Sequence, residues 1–466
     1  MSDSIPTMVM KPEEFRHAAL AHAEWVANYF ARVRDFPVLP DTKPGDIIAA
    51  LPADAPEHGE SIEAIFRDFQ EKIFPNLTLW NHPRFFAWFA VSSSPPAVLA
   101  ELLAATVNVN AMLWKSSPAA TELELVTLTW LRQWLGLNDE FFGILYDTAS
   151  VSTMQAIGAA RERADPECRT AGMRPGLVVY VSEQAHSSAE KAAMTLGFGR
   201  NFIRHIAVDD EFRMRPNVLE ETIKRDCAAG LRPCCVVATL GTTSTASVDP
   251  LPEIAGIASR HGVWLHVDAA YGGSSTIVPE RRYLLNGVNQ ADSFVINPHK
   301  GLFVPLDASV LYTRHPAVLR SASSLVAEYL KTAEDSQTEN LMGYGIQLGR
   351  RFRALKLWYV LCYYGREGIV AFLRQNLAHA QKLREWIAND GQFEICAPVL
   401  FSLVCFRYRG DDALNQALLD EVNRSGSAFL SHTVLNGRYV LRFAIGNMQT
   451  TENDVRQTWE LIRKTA

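Results

Sequence analysis

The chain has 466 residues, of which 48% are hydrophobic, 21% charged and 10% aromatic, the profile of a globular protein large enough for two or three domains. Its net charge is −6, with Lys and Arg scattered rather than clustered, which argues against nucleic acid or an anionic membrane as partner. The first residues lack the layout of a signal peptide, no apolar run is long enough to cross a bilayer, and the seven cysteines show no CxxC spacing, so a reduced, cytoplasmic protein without a metal site is expected.

Residues 1–94 read as a helical, aromatic-rich segment with proline breaks at "FPVLPDTKP" and "NHPRFF". A helix is expected in "SSPAATELELVTLTWLRQWLGL": Ser117 is placed to cap it, Pro118 suits its first turn, and Leu123, Val126, Trp130, Leu131 and Trp134 recur at helical spacing. From about residue 143, the short apolar runs "GLVVYVS", "PCCVVATLG", "GVWLHVDAA" and "DSFVINP" alternate with helical stretches. Unbroken apolar strands alternating with helices specify an α/β fold, a mostly parallel sheet covered on both faces. In such sheets ligands collect beyond the carboxyl ends of the strands, where Thr242, Thr243, Asp268, His299 and Lys300 fall. After "GRRFRALKLWYVLCYYG" the tail alternates helix and strand again ("FSLVCFRYRG", "YVLRFAIG"). The expected division is an N-terminal helical segment at 1–94, a large sheet domain at 95–364 and a small α/β domain at 365–466.

The chemistry gathers at the strand ends. Lys300 in "NPHKGL" lies between apolar runs, and a buried ammonium survives by pairing or by losing its charge, as it does in a Schiff base. Asp268 in "HVDAAYGG" ends a strand apolar on both faces, so its carboxylate needs a cation or a strong donor, which a protonated pyridine nitrogen supplies. His186 in "SEQAHSSAEKAA" sits where strand gives way to helix and suits stacking on a flat ring. "YDTASVSTMQ" opens a helix whose small residues let backbone N–H groups approach a phosphate. Each feature alone also has a structural reading: a snorkelling lysine, a capping Asp, a satisfied His, turn chemistry at Thr243. Together they are the parts for pyridoxal phosphate, and no GxGxxG or GxxxxGK[ST] points to a nucleotide instead.

With "FFAWFAVSSSPPAVLAELL", "SSPAATELE", "AHSSAEKA", "ATLGTTS", "HVDAAYGG", "NPHKGL", "LGRRFRALKLWYV" and "YVLRFAIG", most of the chain resembles the aromatic L-amino-acid decarboxylase family of pyridoxal-phosphate decarboxylases. The resemblance implies a fold-type I, homodimeric enzyme whose N-terminal segment clasps the partner subunit and whose active site lies at the interface. It implies that Lys300 holds the cofactor aldehyde, Asp268 pairs with the ring nitrogen, His186 stacks on the ring, and Ala149 and Ser150 seat the phosphate. Thr243, Ala270, Asn297 and His299 would complete the cofactor shell, and Tyr329 would fall on the mobile-loop tyrosine that donates a proton. Trp80, Trp88, Phe89, Val91, Asn110, Met112 and Gly349 would line the substrate pocket, which then suits a flat aromatic side chain.

The expected reaction is decarboxylation of tryptophan, tyrosine, phenylalanine or a hydroxylated derivative to the arylalkylamine and carbon dioxide. The alternatives are an aldehyde synthase, which Tyr329 opposes, a decarboxylase of non-aromatic amino acids, and a silent cofactor-binding scaffold. Departures from the family pattern concentrate near the pocket: Gly301 after the lysine, Asn110 and Met112, Ala90 and Val91, and Asp147 ahead of the phosphate seat.

Overall fold

The computed structural model describes residues 10–325 and 328–466. The N-terminal helix Pro12–Arg32 starts with proline in its first turn and carries Glu13 and Glu14 there, both favoured at the positive helix end. Only Ala18 of this helix is buried, while Trp25 packs edge-on against Phe69 and Phe74, each at 5.1 Å between ring centroids. The chain then forms a two-residue strand, β1 (Phe85–Phe86).

The large sheet contains β2 (Phe142–Tyr146), β3 (Leu177–Ser182), β4 (Ile203–Ile206), β5 (Arg232–Thr239), β6 (Trp264–Asp268), β7 (Ser293–Ile296) and β8 (Ser309–Thr313). Its spatial order is β2-β8-β7-β6-β5-β3-β4, with β8 antiparallel to both neighbours and every other pairing parallel. Strands β3 and β6 are buried at every position, which explains their unbroken apolar sequences: helices cover both faces. This is the α/β architecture read from the sequence.

The second sheet joins β1 to β9 (Phe393–Ile395), β10 (Leu403–Tyr408), β11 (Phe429–Leu435) and β12 (Arg438–Ala444) in the order β1-β11-β12-β10-β9. Phe85 pairs in parallel with Phe429, so the segment just ahead of the large domain is stitched to the C-terminal sheet. The helix Ala354–Ala388 links the two sheets and is interrupted at Gly365, whose φ of 61° suits glycine.

The helix Pro118–Leu135 has proline at its start and Gly136 in the left-handed conformation at its end, as its sequence predicts. Its buried face differs from the expected stripe. Ala120, Thr121, Glu124, Thr127, Leu128, Leu131 and Leu135 point inward, while Val126 and Trp130 are exposed, and Ser117 makes no side-chain cap. The reason is polar: Glu124 Oε1 accepts from the Leu145 amide at 3.0 Å and from Arg350 Nη2 at 2.8 Å, and this buried pair fixes the helix rotation.

Three buried histidines predict acid lability. Burial pushes His82 and His266 down to about 4 and His299 down to about 3, so all three are neutral in the folded protein at pH 7. An unfolded histidine titrates near ~6.5, so the unfolded state binds more protons once the pH falls below that value. Stability is therefore fully present above ~6.5 and drains away toward pH 4, by about 1.4 kcal/mol per pH unit for each histidine. Asp249, pushed up to about 6 by burial, works in the opposite direction below pH 6, and the three histidines outweigh it. The melting temperature of the apoprotein is expected to fall steadily from pH 6.5 to pH 4.5; a flat profile there would mean that these rings are not held neutral.

Candidate active site

Five strands of the large sheet deliver polar groups to one cavity of about 210 Å³ at their carboxyl ends. Thr148, Ala149 and Ser150 follow β2, His186 and Ser188 follow β3, and Gly241 and Thr243 follow β5. Asp268 is the last residue of β6, while Asn297 and Lys300 follow β7. Thr239, Ala270 and Tyr271 complete the wall with Phe89, which is brought in from the N-terminal part of the chain.

Lys300 is half-buried, and desolvation holds its pKa below the usual lysine value; the Asp268 charge opposes this shift and the Arg442 charge adds to it. Its Nζ lies 5.3 Å from the centroid of the Phe89 ring. The Asp268 carboxylate, 7% exposed, accepts the Ala270 amide at 3.1 Å and forms no ion pair among the described residues. A buried carboxylate in that state calls for a cation. His186 caps the helix Ser187–Thr195: its Nδ1 accepts the Ser188 amide at 3.1 Å, so the proton of the neutral ring sits on Nε2. Burial lowers its pKa, and the nearby Asp268 charge opposes that shift.

The helix Ala149–Ala164 has no side-chain cap, and the Val151 and Ser152 amides both bond to the Thr148 carbonyl. Ala149 and Ser150 line the cavity, and among the described residues their amides have no backbone partner, as a phosphate seat requires. Thr239 Oγ1 and Asn297 Oδ1, both buried on the cavity wall, have no hydrogen-bond partner among the described residues. An amine for an aldehyde, a carboxylate for a ring N–H, free amides for a phosphate and unpaired polar atoms between them fit pyridoxal phosphate.

The remaining residues singled out in the sequence fall into three groups. His299 is buried behind the cavity, where its Nδ1 accepts the Ala308 amide at 3.0 Å, and it does not reach the wall. Trp80 and Val91 line a neighbouring apolar cavity of about 540 Å³, and Trp88 stacks on Trp80 at 5.2 Å. Trp88 holds a left-handed φ of 47°, and Ser431 and Arg442 bond its backbone in that conformation. Asn110, Met112, Gly349 and Tyr329 gather elsewhere. Asn110 accepts the Arg350 amide at 2.9 Å and donates to Met112 Sδ at 3.4 Å, and a Cβ at Gly349 would lie 3.9 Å from its Nδ2. Tyr329 is 79% exposed on the turn Glu328–Leu330, whose Leu330 packs with Leu113 and Met342 beside Met112. Within one chain this group does not line the Lys300 cavity.

Arg442 is a residue that the sequence did not single out. It is 3% exposed, donates to the carbonyls of Thr243 at 2.7 Å and Ser244 at 3.1 Å and to Ser431 Oγ at 2.8 Å, and lies 5.3 Å from the Phe89 centroid. It locks the small sheet onto the loop that carries Thr243. The signal was present in "YVLRFAIG", where one arginine interrupts an apolar strand. Tyr271, stacked on Phe89 at 3.8 Å, was missed as well.

Residues 44–409 match the pyridoxal-dependent decarboxylase conserved domain. The chain belongs to that family. Its cofactor is pyridoxal 5'-phosphate, consistent with the donor set just described. Among relatives of the family, the aromatic-L-amino-acid decarboxylase of Bos taurus is 40% identical over 474 residues, covering 98% of this chain and 97% of that protein. The crystal structure of Oryza sativa TDC with PLP and tryptamine matches with a TM-score of 0.95 at 35% identity, covering 98% of this chain and 99% of that one. Rhodiola rosea 4-hydroxyphenylacetaldehyde synthase matches with a TM-score of 0.92 at 35% identity over 98% of each chain.

Proposed function

We propose that the chain decarboxylates an aromatic L-amino acid (tryptophan, tyrosine, phenylalanine or a hydroxylated derivative) to its arylalkylamine. The observation that carries this reading is the Phe89–Tyr271 stack on the wall shared with Lys300, a flat apolar surface beside the reacting amine. The guanidinium nearest in sequence, Arg84, lies 3.5 Å from Asp454 and is engaged there, so it is not free for a side-chain carboxylate.

Bound pyridoxal phosphate supplies an electron sink for the pair left when carbon dioxide departs. In this reading Lys300, on the cavity wall, would hold the cofactor through its aldehyde. Asp268 accepts the ring N–H and keeps it protonated, which stabilises the developing negative charge electrostatically. His186, its ring fixed by the Ser188 amide, would stack on the cofactor ring and offer its Nε2–H to the substrate. Thr243, Ala270 and Asn297 would complete the cofactor shell, and the Ala149 and Ser150 amides would hold the phosphate.

Asp147, whose carboxylate accepts the Thr148 amide at 2.5 Å, brings a negative charge to the same helix end. Like charges within a few ångströms repel by roughly 1–4 kcal/mol between bulk water and a protein surface. Asp147→Asn is therefore expected to tighten the cofactor Kd about fivefold or more in a fluorescence titration of the apoprotein. An unchanged or weaker Kd would separate Asp147 from the phosphate seat.

The active unit in this reading is a homodimer in the cytoplasm. Leu99, Leu102, Leu103 and Val107 on the helix Pro95–Val107 are exposed together with Val126 and Trp130, an apolar face that a second copy would cover. The surface cluster of Asn110, Met112, Gly349 and Tyr329 would then complete the partner's pocket. Seven free cysteines suit a reducing compartment.

The test is mass spectrometry of products from cofactor-loaded protein given aromatic and acidic L-amino acids together. An aromatic amine is the expected product. Amine from an acidic amino acid alone would overturn the substrate class, and aldehyde without amine would favour the synthase chemistry of the Rhodiola relative.

A further inference from the structure

Behind Lys300 lies a second chamber, about 30 Å³, walled in part by Phe89, Tyr271, Ser274, Lys300, Gly301 and Asn376. Phe89, Tyr271 and Lys300 also line the larger cavity, so the two spaces share the lysine as part of their common wall. Gly301 keeps the chamber tight on one side: a Cβ there would lie 2.0 Å from Ser274 Oγ and 2.7 Å from Ser274 Cβ, so no side chain is accommodated without displacing Ser274. The other side is polar. Asn376, 5% exposed on the helix Ala354–Ala388, lines the chamber, and its Oδ1 has no hydrogen-bond partner among the described residues. On the same helix face, three residues further on, His379 is also buried.

Buried amide oxygens are bonded in nearly all native structures, and those that lack a protein donor are generally met by ordered water. The chamber exceeds the ~10–15 Å³ that one water needs, and its wall supplies the two or more polar partners that such a water requires. We infer that the chamber holds one or two ordered waters, bonded to Asn376, which solvate the Lys300 nitrogen from the side opposite the substrate and make Asn376 a positioning residue for that lysine. The other titratable groups around Lys300 are Asp268 at the end of β6, Arg442 on β12, His186 ahead of the helix Ser187–Thr195, the adjacent His299, and Tyr271 on the shared wall. Asp268 favours the protonated nitrogen, whereas Arg442 and burial oppose it. A chamber water accepting from the N–H stabilises the same protonated form, so removing it makes the nitrogen release its proton at lower pH.

This inference rests on Lys300 being the lysine that carries the cofactor. The experiment titrates the visible band of the cofactor-loaded protein with pH, in the parent, Lys300→Ala, Asn376→Leu and Asn376→Ser, with thermal unfolding as a control. Losing a hydrogen bond to a charged group is worth about one pH unit or more, so Asn376→Leu is expected to lower the midpoint by about that much. Asn376→Ser, which keeps a hydroxyl and makes room for water, is expected to stay near the parent. An unchanged midpoint in Asn376→Leu, or equal shifts in both variants, overturns the inference. If Asn376→Leu does not fold, a high-resolution crystal structure of the parent holoprotein decides: ordered water bonded to Asn376 beside Lys300 supports the inference, and a dry chamber overturns it. A lysine-linked band that persists in Lys300→Ala would instead overturn the placement of the cofactor.

Discussion

Lys300→Ala is expected to abolish steady turnover, with kcat falling by about a thousandfold or more while the fold survives. In the proposed reaction the lysine would hold the cofactor aldehyde, covalent work that no neighbouring side chain can take over. His186, fixed to Ser188 through Nδ1, cannot replace it as a covalent nucleophile of this kind. The same variant separates function from stability. Burial disfavours the Lys300 ammonium, so its removal relieves a desolvation cost, and the apoprotein is expected to melt no earlier than the parent. Loss of turnover and of the lysine-linked visible band with an unchanged or higher Tm is the expected combination. Normal turnover would sink the assignment of Lys300, and an early melt would make the loss of activity a folding defect.

How much of this was legible in the sequence depends on the range over which each constraint acts. The polar cavity groups were readable because they sit at strand ends: a polar residue closing an apolar run carries its own signal, as at Asp268 after β6 and at Asn297 and Lys300 after β7. The Ala149 and Ser150 amides were readable for the same local reason, a strand giving way to a helix. Arg442 was not, because its role comes from β12 meeting the Thr243 loop, a contact between residues 199 apart in sequence. The rotation of the helix Pro118–Leu135 was also hidden. Its apolar periodicity is compatible with two faces, and the choice is made by Glu124 binding the Leu145 amide and Arg350, neither of which belongs to the helix. The pocket aromatics show the same limit at a smaller scale. Phe89 and Trp88 are adjacent in sequence, yet Phe89 lies over Lys300 while the positive φ at Trp88 turns its ring toward Trp80.

Tyr329→Phe is expected to redirect the product while leaving carbon–carbon cleavage largely intact. The substitution removes one O–H and keeps the ring. If that hydroxyl delivers the proton to the carbon left by departing carbon dioxide, carbon dioxide release continues and the amine yield drops. The unprotonated carbon can then pass two electrons to molecular oxygen, giving hydrogen peroxide, and water hydrolyses the resulting C=N bond to aldehyde and ammonia, so oxygen uptake and peroxide should rise as amine falls. An unchanged amine-to-aldehyde ratio would remove Tyr329 from the reaction. The exposed position of Tyr329 sharpens the test, because in a homodimer this turn would serve the partner's cavity rather than its own. Mixed dimers of Lys300→Ala and Tyr329→Phe then contain one site with both defects and one site with neither. Dissociating and reassociating the two variants together should restore amine production at about one site per mixed dimer. If Tyr329 acted within its own chain, every site in the mixture would carry one defect, and mixing would restore nothing.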